Sequence, residues 1–239
     1  MKSPRVIAFL IAVAVSVGLS AADKRPITPQ DLWACKRLSS PALSPDGKTV
    51  VFSVQEWSIE KNKSTSTLWL IDVAGGEPRR LTTAQVSDGT PVWSPDGKTI
   101  AFISKRGDDE NASLYVVRTD GGEPEKVLEL ATGVSSPKWL PDGSGVIVAT
   151  TVVPELAGSL GKSDVAAMKK ELKRRRESKM TAKVTEDRQF RYWDHWLTDN
   201  LANRLVRVNV TTKEYQDLTP KSARLFQTSG DVNYDVSPD

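Results

Sequence analysis

The chain has 239 residues, 33 of them basic and 30 acidic, with a single histidine and a single cysteine. That balance gives no overall charge argument for a nucleic-acid partner. One cysteine excludes an internal disulfide framework, and one His with one Cys cannot make a Cys/His zinc site.

Met1-Lys2-Ser3-Pro4-Arg5 is basic, Val6 to Leu19 is almost wholly apolar, and Ser20-Ala21-Ala22 precedes the charged Asp23-Lys24-Arg25. This order matches a secretory leader with a small-x-small cleavage site, so residues 1–22 are expected to be removed near Ala22. An uncleaved anchor is the alternative, but the apolar run falls short of the ~20 residues that span a bilayer. Periplasmic or secreted location follows, with no stable membrane anchor after cleavage. Loss of Lys2 and Arg5 leaves the mature chain near neutral. Residues 23–40 read as a lead-in, in which Cys35, beside Trp33 and Leu38, is expected to be a small buried apolar residue.

From about residue 41 the sequence repeats. Ser44-Pro45-Asp46-Gly47 recurs as Ser94-Pro95-Asp96-Gly97 and Leu140-Pro141-Asp142-Gly143, and Ser237-Pro238-Asp239 ends the chain. The spacing, roughly 46 to 50 residues, is that of propeller blades. β-Branched and aromatic runs follow each copy, at 49–54, 99–104 and 145–150, and read as strands. Strands at Leu68–Asp72 and Leu114–Arg118 lead to Gly-Gly-Glu-Pro turns at 75–78 and 121–124. A short closing strand and a short leading strand, such as Pro91-Val92-Trp93, bring the count to four per unit, one blade.

Proline presets the first central turn position, aspartate bonds local N–H groups, and glycine takes the left-handed conformation. The motif is therefore a folding signal. Asp46, Asp96 and Asp142 lack the dense acidic loop of a calcium site. Faces such as Phe52/Trp69 and Phe102/Tyr115 are expected to bury against neighbouring blades. The chain stops inside a turn, so a truncated propeller is expected. The fold class is all-β: a partial β-propeller of four-stranded antiparallel blades at 41–239, with a helical and aromatic insertion at about 154–200.

Within the insertion, Asp164 to about Thr181 reads as a helix, with Val165, Met168 and Leu172 at helical spacing and Ser163 as its N-cap. Its basic residues, from Lys169 to Lys179, could meet nucleic acid, an anionic membrane or an acidic partner, or could form a solvated face. The segment Arg191-Tyr192-Trp193-Asp194-His195-Trp196 either lines a pocket or packs the insertion on its blade. No Gly-x-Ser-x-Gly elbow is present, and His195 lies on the insertion, so no catalytic residue is assigned. No metal or cofactor is expected.

The lead-in Ile27-Thr28-Pro29-Gln30-Asp31-Leu32, the continuation Arg37–Gly47 and the 191–196 aromatic segment resemble the propeller start of the prolyl oligopeptidase family. The bacterial dipeptidyl- and acylaminoacyl-peptidases are the nearest in kind. The resemblance implies a carboxyl-terminal α/β-hydrolase domain, missing here, that carries the serine, aspartate and histidine. The propeller would gate the access of peptide substrate to that domain, with Arg191, Tyr192, Trp193 and His195 the first candidates for substrate contact. The alternative is a non-enzymatic TolB-like periplasmic propeller that binds partner proteins, since such propellers share the turn repeat.

Overall fold

The three turns reuse one hydrogen-bond scheme. In the first, the Ser44 hydroxyl donates to Asp46 Oδ1 (2.6 Å), the same oxygen accepts from the Lys48 N–H (3.1 Å), and Ser44 Oγ accepts from the Thr49 N–H (2.9 Å). Ser94 and Asp96 repeat this pattern at the same distances. In the third, leucine replaces the serine, and Asp142 Oδ1 takes the Ser144 N–H and hydroxyl instead. Gly47, Gly97 and Gly143 close the turns at φ of 71°, 69° and 70°, a region open to glycine without steric cost. The turn aspartates are thus committed to local donors.

These turns sit in a computed structural model that describes residues 25–179, 191–192, 195–196, 201–221 and 232–237. A short helix α1 (Pro29–Ala34) leads into blade 1: β1 (Arg37–Leu43), β2 (Thr49–Ser58), β3 (Lys63–Asp72) and β4 (Arg79–Arg80). Blade 2 is β5 (Gly89–Trp93), β6 (Thr99–Ser104), β7 (Ser113–Arg118) and β8 (Glu125–Leu128). Blade 3 starts with β9 (Ser135–Trp139) and β10 (Gly145–Val152). The insertion follows, with α2 (Pro154–Ala157), α3 (Lys162–Glu177) and the short strands β11 (Arg191–Tyr192) and β12 (His195–Trp196). β13 (Ala202–Asn209) and β14 (Tyr215–Asp217) complete the blade. Each blade is a four-stranded antiparallel sheet whose strands pair in chain order.

Alternation along the strands sends one face of each sheet to the blade before and the other to the blade after. Val51, Leu68 and Leu70 of blade 1 bury against Ile100, Phe102, Tyr115 and Val117 of blade 2. Ala101 and Leu114 on the reverse of blade 2 bury against Val146, Val148, Val206 and Val208 of blade 3. Phe102 and Tyr115 are therefore buried in a seam, whereas Phe52 and Trp69 of blade 1 face backward and stay half-exposed. Leu38 and Leu43 on that backward side are 70% and 57% exposed.

Each seam also carries an indole bond. The Trp93 indole N–H donates to the Ala42 carbonyl (2.9 Å), and the Trp139 indole N–H donates to the Val92 carbonyl (3.1 Å). Both donors end an innermost strand and reach back to the strand before. Blade 1 has Leu43 at the corresponding place.

Two local expectations need correction. Helix α3 begins two residues earlier than its apolar spacing indicates, and its N-cap is Gly161, not Ser163. The Asp164 carboxylate reaches back to accept the Gly161 N–H (3.0 Å), so an acid in the first turn supplies the cap. Cys35 is exposed, not buried. It follows a helix that buries none of its residues, so its apolar neighbours provide no enclosure. Among the described residues no helix is long and apolar enough to cross a membrane.

Candidate functional site

A meander of antiparallel strands puts its connections on two opposite faces. The Pro-Asp-Gly and Gly-Gly-Glu-Pro turns share one face. The β2–β3 and β6–β7 loops, the blade-to-blade crossovers and helices α2 and α3 of the insertion share the other, here called the loop face. Sequence length and irregularity therefore concentrate on the loop face, where functional residues gather in such scaffolds.

A polar chain ties the loop face together. Asp88, on the crossover into blade 2, is fully buried. It accepts from the Ser104 hydroxyl (2.6 Å) and an Arg106 Nη (2.6 Å), and its own N–H donates to the Ser66 carbonyl of blade 1 (2.9 Å). The Arg106 guanidinium also lies 5.4 Å from the Phe102 ring centroid and 5.5 Å from that of Tyr115. Asp109 accepts from the Tyr115 hydroxyl (2.7 Å), the Arg106 N–H (3.1 Å) and Lys126 Nζ (2.7 Å). Lys126 continues to Glu129 (3.0 Å), and Lys169 of α3 bridges Glu129 (2.9 Å) and Glu110 (3.5 Å).

The titration shifts follow from these contacts. Burial pushes the Asp109 carboxyl upward, but Lys126, the Arg106 N–H and the Tyr115 hydroxyl outweigh it and hold it below its ordinary value. Burial, and then the bond to Asp109, pushes the Tyr115 hydroxyl up to about 12. Lys169 and Lys126 hold Glu129 low, and the bonds to Asp109 and Glu129 raise Lys126. Asp109 and Glu129 are stabilised as anions, which suits a structural brace and is the opposite of a base tuned toward neutrality. Sequence reasoning missed this network because its members are scattered over blades 1 and 2 and the insertion. A fully buried aspartate has no local sequence signature.

The second feature is the central groove. In the innermost strands Ser40, Thr90 and Ser136 take φ of 50°, 45° and 49°. Each precedes a proline, and the strand pairing shifts register there. A groove of about 370 Å³ is lined by these residues, by Pro41, Pro91 and Pro137, and by Lys138 and Tyr234. The Thr90 and Ser136 hydroxyls are buried there without a hydrogen-bond partner among the described residues. The Tyr234 hydroxyl donates to the Ile147 carbonyl (2.8 Å), also meets that of Ser136, and is pushed upward by burial.

Of the aromatic segment, the backbones of Arg191 and Tyr192 pair with those of Trp196 and His195 in a two-stranded antiparallel ladder. Trp193 and the side chains of Arg191, Tyr192 and His195 lie outside the described residues. No group of three or more His, Cys, Asp or Glu side chains is placed to hold a metal ion among the described residues.

Comparison with known proteins matches this architecture. The TolB beta propeller domain family matches residues 35–188. Dipeptidyl-peptidase 5 of Porphyromonas gingivalis is 34% identical over 96 residues, covering 40% of this chain and 14% of that protein. The uncharacterized peptidase YuxL of Bacillus subtilis is 34% identical over 86 residues, covering 36% of this chain and 13% of that protein. The chain thus spans only a small part of the length of the curated relatives it matches. Among solved structures, the Pyrococcus horikoshii acylaminoacyl peptidase superposes with a TM-score of 0.55 at 18% identity, over 77% of this chain and 24% of that one. That likeness shows the shared fold. Repeated four-stranded blades, with one family model matching more than half of the chain, show that the chain belongs to the TolB β-propeller domain family.

Proposed function

We propose that this chain is the substrate-gating propeller of an exported serine peptidase acting on peptides. The catalytic serine, aspartate and histidine would belong to an α/β-hydrolase domain elsewhere in the parent protein. The observation that carries the reading is that two curated relatives from different bacterial species, each 34% identical to these blades over 96 or 86 residues, are named as peptidases. The basic-apolar-small order of residues 1–22 supports export, with residues 23–40 as lead-in and 41–239 as propeller. Arg191, Tyr192, Trp193 and His195 are assigned to substrate contact, because they form an aromatic-rich segment of the insertion whose helices α2 and α3 lie on the loop face.

Reading the parent gene past the codon for Asp239 tests this. A continuous frame with further blades and a Gly-x-Ser-x-Gly elbow, whose product is labelled by a serine-directed fluorophosphonate, supports it. A frame without an elbow, or a product that stays unlabelled, sinks it. A second reading, a non-enzymatic propeller that binds partner proteins, draws on the TolB family match itself. A stable partner recovered from periplasmic extract, with no labelling, would favour that one.

A further inference from the structure

Helix α3 has two unlike sides. Its inward stripe, Val165, Met168 and Leu172, packs on the seam cluster that includes Leu130 and Val134 of the crossover between blades 2 and 3. That crossover runs along the loop face, so the opposite side of α3 points away from the blades. At about 100° per residue, Lys162, Lys170, Lys173 and Arg174 fall within one arc on that outward side, and all four are exposed. Ser163, Ala166 and Glu177 are the other residues of the arc, and the first two are too small to screen the cations.

Local acids neutralise this surface only in part: Arg174 is held by Glu171, while Lys162 and Lys170 stay open among the described residues. Lys169 takes Glu129 and Glu110 by itself. Lys173 has only Glu177, at 3.9 Å, and Lys162 and Lys170 form no ion pair among the described residues. The helix also shows how it receives carboxylates: Glu171 accepts from Arg174 and Arg175 at 2.7 and 2.8 Å, which holds its carboxyl at about 2. A bilayer fits less well. A helix lying in a membrane interface buries an apolar face there, and the apolar face of α3 is already spent on the blades.

We infer that the outward face of α3 is a collecting surface for acidic polypeptide segments. It meets first whatever approaches the loop face, and so favours Asp- and Glu-rich peptides over neutral or basic ones. The binding surface stands on the geometry of α3, and its role in choosing substrates rests on the gating reading.

The test uses fluorescence anisotropy on the 239-residue chain with three short labelled peptides, rich in Glu, Gln or Lys. The Glu peptide is expected to bind about tenfold more tightly than the Gln peptide at low salt, from a few exposed pairs of modest strength each. The preference should fade as the screening length falls from ~30 Å to ~8 Å between 0.01 M and 0.15 M salt. The triple variant Lys162→Gln/Lys170→Gln/Lys173→Gln should lose it. Glu177→Lys, which adds a cation to the same arc, should strengthen it several-fold, and keeps the test decisive if the triple variant folds poorly.

Equal binding of the three peptides overturns the inference and leaves gating intact, as does a preference that survives the triple variant. Binding of no peptide counts against both. Capture by anionic phospholipid vesicles that the triple variant abolishes, without a Glu-peptide preference, assigns the face to lipid and overturns the inference.

Discussion

Replacing Asp88 with alanine tests whether the buried pair holds blades 1 and 2 together. Asp88 is fully buried, and the Arg106 side chain is 12% exposed. Removing one partner of a buried pair typically costs about 3–5 kcal/mol, because the remaining charge is left uncompensated. Arg106 keeps its 3.2 Å bond to Ser104, the Phe102 and Tyr115 rings, and the exposed Glu123 carboxylate at 4.0 Å. Those residual contacts place the expected loss at the low end, about 3 kcal/mol. Asp88→Asn retains an acceptor for Ser104 and should lose about half as much. Asp88→Ala/Arg106→Met removes both charges and should recover part of the loss of the single alanine variant.

Urea unfolding followed by tryptophan fluorescence reads these differences, since Trp93 sits in the same seam. Amide exchange adds the location: protection should fall first in β1–β3 and β5, on either side of the seam. A loss under about 1 kcal/mol for Asp88→Ala, or a double variant no better than the single one, would refute the buried pair as the brace.

Three other outcomes follow from the same structure. Gly97→Ala should cost about 1 kcal/mol in urea midpoint. The residue sits at φ 69°, while its added Cβ would meet nothing closer than Pro45 Cδ at 3.8 Å; no loss would mean the turn relaxes. Met168→Ala, at a position 1% exposed, should cost about 2–5 kcal/mol of local docking and expose Arg174–Arg176 to trypsin; an unchanged digest would show that α3 is held by its ion pairs alone. Asp109 and Glu129 have lowered values in the fold, so their stabilisation is complete above the unfolded carboxylate range and is lost as pH falls through their folded values. Acid titration of the melting temperature should therefore show a steeper drop below about pH 4 in the native chain than in Asp109→Asn; parallel curves would exclude the contribution.

The blades were legible because local chemistry specifies them. Pro-Asp-Gly sets the turn, β-branched runs set the strands, and the repeat interval sets the architecture. The stripe of Val165, Met168 and Leu172 likewise announced α3. What escaped was whatever depends on distant contacts. The Asp88–Arg106 pair joins positions with no shared motif, and the buried pair of Arg204 and Asp217, 2.6 Å apart, is equally silent in sequence. Cys35 is exposed despite its apolar neighbours in sequence, because those neighbours are not walls in space. Ser163 does not cap α3, because the hydrogen-bonding group of the cap lies on the next residue, Asp164. The Arg191–Trp196 segment was noticed for its composition, and its backbone forms a short ladder.

The indole bonds give the array a direction, like overlapping roof tiles. Trp93 fastens blade 2 onto blade 1, and Trp139 fastens blade 3 onto blade 2, each through a main-chain carbonyl that any residue provides. The fastener travels with the newer unit, and the older unit offers only backbone. A duplicated unit inserted between two others would bring its own donor and find an acceptor waiting, with no matching change in its neighbour. Gain or loss of whole units is thereby a single-step event, a tolerance that paired side-chain locks such as Asp88 with Arg106 do not share.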